Sequence, residues 1–189
     1  MSTTLLIQSE IDRIRKGDRS ATQEIVIKAQ RRLERLARKM MQGERRSPMH
    51  GTSDLAQNAS LRLMRRLEKH TPECPKDFFR MASREMRLEL IDLARRSFRE
   101  RSHYRENMDL EPREQTGQDN LQTWADFHEA LGSLPVSERT AFELIFYHEL
   151  SQTESAKLMG ETIWTYRRIL GRARKKLARV LSPLLECAR

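Results

Sequence analysis

The chain has 189 residues, and its 36 Lys and Arg outnumber its 27 Asp and Glu, which gives a formal net charge of +9 and an isoelectric point near 10.1. This length allows one domain, or two small ones, to bury a core without disulfides or metal ions. The positive charge favours a polyanionic partner, but ribosomal proteins and basic tails share it, so the charge alone does not identify the function.

Targeting and redox signals are sparse. No apolar run approaches the ~18 residues needed to span a bilayer, and the N-terminus lacks the basic and apolar stretches of a signal peptide. The two cysteines, Cys74 and Cys187, are far apart and are expected to be free thiols, as suits a reducing compartment. We therefore expect a soluble, cytoplasmic protein without a membrane partner.

Apolar residues recur at spacings of three and four along nearly the whole chain, which predicts an all-α fold. The first helix is expected from Thr4 to Lys16, closed by Gly17, and Asp18 is expected to cap the second helix. The second helix is expected to end at Gly43. Its predicted apolar face consists of Ile25, Ala29, Leu33, Leu36 and Met40.

Glycines and prolines then divide the chain. A loop is predicted over 43–53, a helix capped by Ser53 over 54–69, and a break at HTPECPK. A long helix follows from Asp77 to about Arg101. Its predicted core-facing residues are Phe79, Ala82, Met86, Leu90, Leu93 and Phe98.

The sequence predicts two small helical domains. Residues 1–101 form the first bundle, residues 102–123 are polar, contain Pro112 and Gly117, and are predicted to be a linker, and residues 124–189 form the second unit. About twenty extended linker residues would reach ~70 Å at ~3.3 to 3.6 Å each. That reach is comparable to two turns of duplex DNA at ~34 Å per turn.

The second unit has the layout of a helix-turn-helix. One helix is expected to end at Gly132, and Pro135 and Ser137 start the next, which runs to Tyr147. Ser151 and Glu154 form a capping box that starts a short helix. This helix ends at Met159 and Gly160, and Thr162 is expected to cap the last helix.

The last helix separates apolar from basic residues. Its apolar stripe is Tyr166, Leu170, Ala173, Leu177 and Leu181. Off that stripe, with no acidic residue among them, lie Arg167, Arg168, Arg172, Arg174, Lys175 and Arg179. A face of one sign repels itself unless an anionic group meets it.

The first turn of such a helix is where helix-turn-helix proteins contact base edges and phosphates. Arginine suits guanine because its two donors match the guanine edge. For Trp164, packing within the domain and contact with DNA both remain open. The predicted DNA-binding set is Thr162, Ile163, Trp164, Arg167, Arg168, Arg172 and Lys175.

The chain resembles a bacterial RNA polymerase sigma factor of the extracytoplasmic-function (ECF) type, from about residue 5 to residue 181. The family's second region, with its Asp-Leu-x-Gln and Phe-Phe-x-x-Ala patterns, is similar to DLAQNASLRLMRRL and FFRMASREMRLELIDLARR. The fourth region is similar to LPVSERTAFELIFYHELSQTESAKLMG and RARKKL. The resemblance implies a factor that binds core RNA polymerase and directs promoter-specific initiation without catalysis or a cofactor of its own.

The resemblance also implies roles for particular residues. One helix would dock on the β′ clamp helices through Asp54, Gln57, Leu61, Arg62 and Arg65, and the C-terminal unit would meet the β flap. The loop at residues 68–77 would capture a flipped base of the -10 element. Residues implied to contact the -10 DNA are His70, Lys76, Arg80, Arg84, Arg87, Arg95 and Arg96.

The resemblance leaves some points to this chain. Glu161, Tyr166 and Ile169 differ from the residues usual in the family, so a -35 sequence preference is not carried over. Phe78 and Phe79 are expected in the core more often than stacked on bases. Control by an anti-sigma factor is common in the family, but no residue here identifies one.

Three alternatives stay open at this stage. A stand-alone helix-turn-helix regulator would leave the first hundred residues unexplained. An enzyme has little support, because YHELSQ lacks the second histidine of a zinc motif, and His70 with Cys74 makes only half a metal site. Membrane-surface binding by the last helix would need the apolar stripe that the preceding helices require.

Overall fold

The computed structural model describes residues 3–40, 52–108 and 116–186. These residues form eight α-helices and no strand, so the predicted all-α fold is confirmed. None of the described helices is long and apolar enough to cross a membrane. The helices are α1 Thr3–Arg15, α2 Arg19–Met40, α3 Thr52–Lys69, α4 Pro75–Met108, α5 Thr116–Ser133, α6 Val136–Phe146, α7 Gln152–Met159 and α8 Ile163–Glu186.

Local signals set the first connection as predicted. Gly17 ends α1 with a positive φ of 85°, a conformation that side chains with a Cβ rarely adopt. The carboxylate of Asp18 accepts hydrogen bonds from the backbone N–H of Ser20 at 2.9 Å and from its hydroxyl at 2.7 Å. These bonds satisfy a donor at the start of α2 and hold the pKa of Asp18 down at about 2.

The predicted apolar faces of α2 and α4 are buried wherever their side chains are described. Ile25, Ala29, Leu33 and Leu36 line α2. From α4 the buried set is Phe79, Ala82, Met86, Leu90 and Leu93. The side chains of Met40, Phe98 and Leu181, the loop at 43–51 and Cys187 lie outside the described residues.

Several helix boundaries differ from the prediction by one or two residues. The third helix begins at Thr52, so Ser53 is inside it, and α4 begins at Pro75, whose fixed φ and missing N–H suit the first helical position. Such shifts of one or two residues are ordinary at helix ends.

The segment 102–123 is helical at both ends, because α4 continues to Met108 and α5 starts at Thr116. Residues 109–115 lie outside the described part. A helix rises only ~1.5 Å per residue, less than half the extended value. The reach of ~70 Å deduced from sequence therefore requires both helix ends to unwind.

Helix α5 explains why this polar segment stays helical, since its second half packs on α4. Ala125, Phe127 and Leu131 of α5 are buried in the same apolar cluster as Leu90 of α4 and Leu177 of α8. Apolar periodicity did not predict this packing, because the first residues of α5 are polar. The core thus continues from the N-terminal helices α1–α4 into the C-terminal helices α5–α8.

The continuous core generates a stability prediction. Leu90→Ala removes a fully buried side chain and should lower the free energy of unfolding by about 2 to 5 kcal/mol, from lost burial and the cavity left behind. Leu88→Ala, two residues away on the same helix and 38% exposed, should cost less than about 1 kcal/mol. Urea unfolding followed by circular dichroism measures both, and equal losses would contradict this placement of the core.

Candidate DNA and polymerase interfaces

One face of α3 carries the residues that the resemblance assigns to polymerase docking. Gln57, Leu61 and Arg65 follow one another at four-residue intervals, so they share one face, and all three are exposed. Leu61 is 44% exposed, which places an apolar side chain in solvent within a polar stripe. Asp54 lies on the same stripe in the first turn of α3, and its side chain is outside the described residues.

Arg62 lies beside this stripe and is held by α4. Its Nη1 is 2.9 Å from Oε1 of Glu89 and 3.8 Å from Oδ2 of Asp92. Glu89 is almost completely buried, and burial raises its pKa although Arg62 opposes the shift. Arg62 therefore compensates a buried carboxylate while its half-exposed side chain still reaches the surface.

The connection between α3 and α4 is attached to the rest of the N-terminal unit. His70 is exposed, and its backbone N–H donates to the carbonyl oxygen of Arg66 at 2.8 Å. Arg15 of α1 donates to the carbonyl oxygen of Glu73 at 2.9 Å. Lys76 is partly exposed in the first turn of α4, so both predicted DNA-contacting side chains flank an anchored loop.

The arginines of α4 that were predicted to contact the -10 element lie largely along one face. Arg80 and Arg84 are exposed there. Arg87 is not, because it forms an ion pair with Glu143 of α6, and its side chain is only 12% exposed. Arg95 pairs with Glu129 of α5 at 2.6 Å. Arg96 is partly exposed, and its Nε donates to the carbonyl oxygen of Asp92 at 3.3 Å.

Phe78 and Phe79, at the start of α4, belong to the core as expected. They are 2% and 3% exposed, and their ring centroids are 5.7 Å apart. Neither ring is available to stack on a base in this arrangement. Their aromatic area stabilises the packing that fixes the direction of α4.

The turn between α7 and α8 is built as the sequence predicted. Ser151 and Glu154 form a complete capping box at the start of α7. Gly160 ends α7 with φ 70°, in the left-handed region that favours glycine. Thr162 then caps α8, because its Oγ1 accepts the backbone N–H of Thr165 at 3.1 Å.

Buried side chains fix α8 against α6. Tyr166 is fully buried, and its hydroxyl donates to the carbonyl oxygen of Ala141 at 2.7 Å. Leu170, Ala173 and Leu177 continue the stripe and are buried. Ile169 is also buried, at 5% exposure, so this departure from the family pattern belongs to the core and cannot read a base.

The first turn of α8 projects from this support. Trp164 is 68% exposed, so it does not pack into its own unit, and its contact with DNA stays a prediction. The guanidinium carbon of Arg168 lies 5.0 Å from the centre of its ring, a cation–π contact. Nε of Arg167 donates to Gln152 of α7 at 3.1 Å, and Ile163 is 37% exposed.

Two cations of α8, Arg172 and Lys176, have an acidic partner within the protein. Glu138 of α6, with a side chain 7% exposed, lies 3.2 Å from Nε of Arg172 and 2.7 Å from Nζ of Lys176. The hydrogen bond from Lys176 lowers the pKa of Glu138, with Arg172 adding to the effect against burial. The anionic group that the basic face requires is thus partly supplied by the protein. Lys175 stays exposed on the same helix.

The sequence offered two partial metal motifs, YHELSQ and the pair His70 and Cys74. Among the described residues, no group of three or more His, Cys, Asp or Glu could hold a metal ion. The histidine of YHELSQ, His148, has another role, because its Nε2 lies 2.8 Å from Oγ of Ser83 and 3.0 Å from the carbonyl oxygen of Phe79. A carbonyl oxygen only accepts, so the proton of the neutral ring is on Nε2 when this bond forms.

The comparison with known families identifies the family of this chain. A family model described as ECF sigma factor matches residues 6–183. The chain belongs to the ECF sigma factor family. No curated protein sequence matches it significantly. As an ECF sigma factor, it acts in promoter-directed transcription, with core RNA polymerase and promoter DNA as partners.

Sequence reasoning missed the carboxylates that bind arginines of this sigma factor. Glu138 is 34 positions from Arg172, and Glu143 is 56 positions from Arg87, so no local spacing connects them. One signal was present for Glu143, which is an acid inside the apolar run AFELIF. A charged residue in such a run usually has a buried partner.

The Glu138 contacts generate a prediction for DNA binding by this sigma factor. Glu138→Gln should release Arg172 and Lys176, tighten binding to duplex DNA, and steepen the dependence of log affinity on log salt by up to about two, since each added phosphate contact contributes roughly 0.9. Fluorescence anisotropy with a 20-base-pair duplex at several salt concentrations measures the slope.

Asp126→Asn supplies the matched control. Asp126 is exposed on α5 and pairs with Gln122, so this variant removes one negative charge without releasing either cation. Identical slopes for the two variants would contradict the assignment of Glu138 as the group that restrains Arg172 and Lys176.

Proposed function

We propose that the N-terminal helices dock on core polymerase and recognise and melt the -10 element, while the C-terminal helix-turn-helix binds the -35 element. The observation that carries the proposal is the exposed first turn of α8, with Trp164 in solvent and Arg168 beside it on a rigid support. Polymerase supplies catalysis, and this chain supplies the promoter address and the opening of the strands.

The -35 assignment is supported by the division of α8 into two faces. Tyr166 and the apolar stripe fix the helix on its own unit, so that Arg167 and Arg168 face outward with their direction set by packing. Arginine at the start of a recognition helix can contact phosphates or guanine edges, and a bidentate guanine pair contributes about 1 to 3 kcal/mol of discrimination. Trp164 offers an apolar surface to a thymine methyl group next to them.

The -10 assignment is supported by the anchored loop after α3 and by the cations of α4. His70 and Lys76 flank the loop, and Arg80 and Arg84 continue the positive charge along an exposed face. A base must leave the helical stack before a protein can read it in a pocket, which costs a few kcal/mol. A basic groove beside the loop would hold the released strand through its phosphates.

The docking assignment is supported by the exposed stripe on α3. A leucine that is 44% exposed between Gln57 and Arg65 matches an interface where an apolar contact is surrounded by polar ones. The β′ clamp helices are the proposed partner, and the C-terminal unit would meet the β flap. Control by an anti-sigma factor stays a prediction from the family.

Replacement of the exposed arginines tests the -35 role. Arg167→Ala with Arg168→Ala should weaken binding to a promoter duplex and reduce the salt slope by about two, because roughly one unit is lost per phosphate contact. The promoter for this duplex is first identified by run-off transcription with core polymerase on a genomic promoter library. Lys28→Ala with Arg31→Ala, on the exposed face of α2, removes the same charge away from α8. The -35 role is wrong when both double variants lose equal affinity.

Replacement of the docking stripe tests the polymerase role separately. Asp54→Ala with Gln57→Ala should reduce association with core polymerase by tenfold or more, roughly 1.4 kcal/mol, with little change in the unfolding temperature. Asn58→Ala, exposed beside Gln57, is the control and should leave association unchanged. Biolayer interferometry with immobilised core polymerase provides the measurement, and full-strength binding by the double variant would refute the docking assignment.

A further inference from the structure

Two carboxylates of the C-terminal unit cover part of the basic face of α4. Glu143 of α6 pairs with Arg87, and Glu129 of α5 pairs with Arg95. Both arginines belong to the set proposed to hold the -10 strand. We call Arg80, Arg84, Arg87 and Arg95 the α4 arginine face. Half of this face is therefore occupied by the chain's own acids.

The backbone of α5 also lies directly on Arg87. A Cβ added to Gly132 would be 3.2 Å from Nε of Arg87, so glycine permits this approach. With Glu143 on one side and α5 on another, the Arg87 side chain is only 12% exposed. A DNA phosphate could not reach this guanidinium unless the two units separated.

A second contact joins the units away from the α4 arginine face. Arg32 of α2 donates from Nε to the carbonyl oxygen of Tyr147 at 2.9 Å and from Nη2 to that of Phe146 at 2.6 Å. It also forms an ion pair with Glu149. These bonds satisfy carbonyls at the end of α6, where the helix itself offers no donors.

The segment after α6 is shaped to make this contact. Glu149 has a positive φ of 55°, unusual for a residue other than glycine, and Arg35 of α2 lies 3.1 Å from its other carboxylate oxygen. The neighbouring ring of His148 is 4.6 Å from that of Phe79 at the start of α4. Polar and apolar contacts therefore hold the segment after α6 against α2 and the start of α4.

From these contacts we infer that the free chain is held closed by its C-terminal unit, in which Glu143 and Glu129 take the positions of DNA phosphates on Arg87 and Arg95. DNA and the C-terminal unit then compete for the same arginines. Opening of the interface exposes the α4 arginine face, and closing withdraws it. The inference rests on the proposed contact of α4 with the -10 strand.

The test uses Arg32, which is outside the proposed DNA-binding set. Arg32→Ala in the full chain should open the interface, increase the radius of gyration measured by small-angle X-ray scattering, and raise the affinity for a fluorescent 20-nucleotide single-stranded DNA by about threefold or more, because the fraction of competent molecules rises. If Arg32→Ala acted only by removing a positive charge, the affinity for DNA would fall instead. Arg31→Ala, exposed next to it, removes an equal charge and should weaken binding slightly without expansion.

A second experiment tests whether the gain in DNA affinity depends on Arg87 and Arg95. In the Arg87→Ala, Arg95→Ala variant, addition of Arg32→Ala should give no gain in DNA affinity, since the competed arginines are gone. A gain of the same size in this background would overturn the competition, and an unchanged radius of gyration in Arg32→Ala would overturn the closed state. Expansion without any change in DNA affinity would instead refute the role of α4 in DNA binding.

Discussion

A carboxylate taken out of water needs a cation beside it, and this constraint organises the structure. Removing the charge from water costs several kcal/mol, and only a close, well-oriented partner offsets that cost. Among the buried glutamates of the described residues, Glu85, Glu89, Glu138 and Glu143 each meet an arginine of another helix, and Glu10 pairs with Arg13 of its own helix. An arginine-rich chain thus pairs some cations with its own buried acids and leaves others exposed to solvent.

That division separates two kinds of basic residue that look alike in sequence. Arg167 and Arg168 reach solvent from a helix fixed by Tyr166, whereas Arg172 shares Glu138 with Lys176. On α4, the ion pair formed by Arg87 crosses between the units and is accordingly conditional on their arrangement. The availability of each basic side chain in this family member therefore depends on its acidic partners within the fold as well as on the net charge of the chain.

The sequence predicted the helix-turn-helix well because its determinants are local. The Ser151 capping box, Gly160 and the Thr162 cap each act within four residues. The outward direction of Trp164 and the pairing of Arg87 could not be predicted in this way. They depend on which helices pack together, and the packing of α5 on α4 was concealed by a polar stretch whose apolar residues begin only near Trp124.

Acidity does not explain how the interface would open. Burial raises the pKa of Glu143 to about 7 from 4.5, so protons favour the closed form between those values. Burial lowers the pKa of His148 to about 3 from 6.5, so protons oppose closure from pH 6.5 downward. The effects of these two groups oppose each other between 4.5 and 6.5, so together they give acid no single direction as an opening signal. A competing polyanion, which acts on Arg87 and Arg95 directly, is the better-suited signal. Separation over a long distance would also unwind the polar ends of α4 and α5, which links promoter engagement to the helix content of that segment.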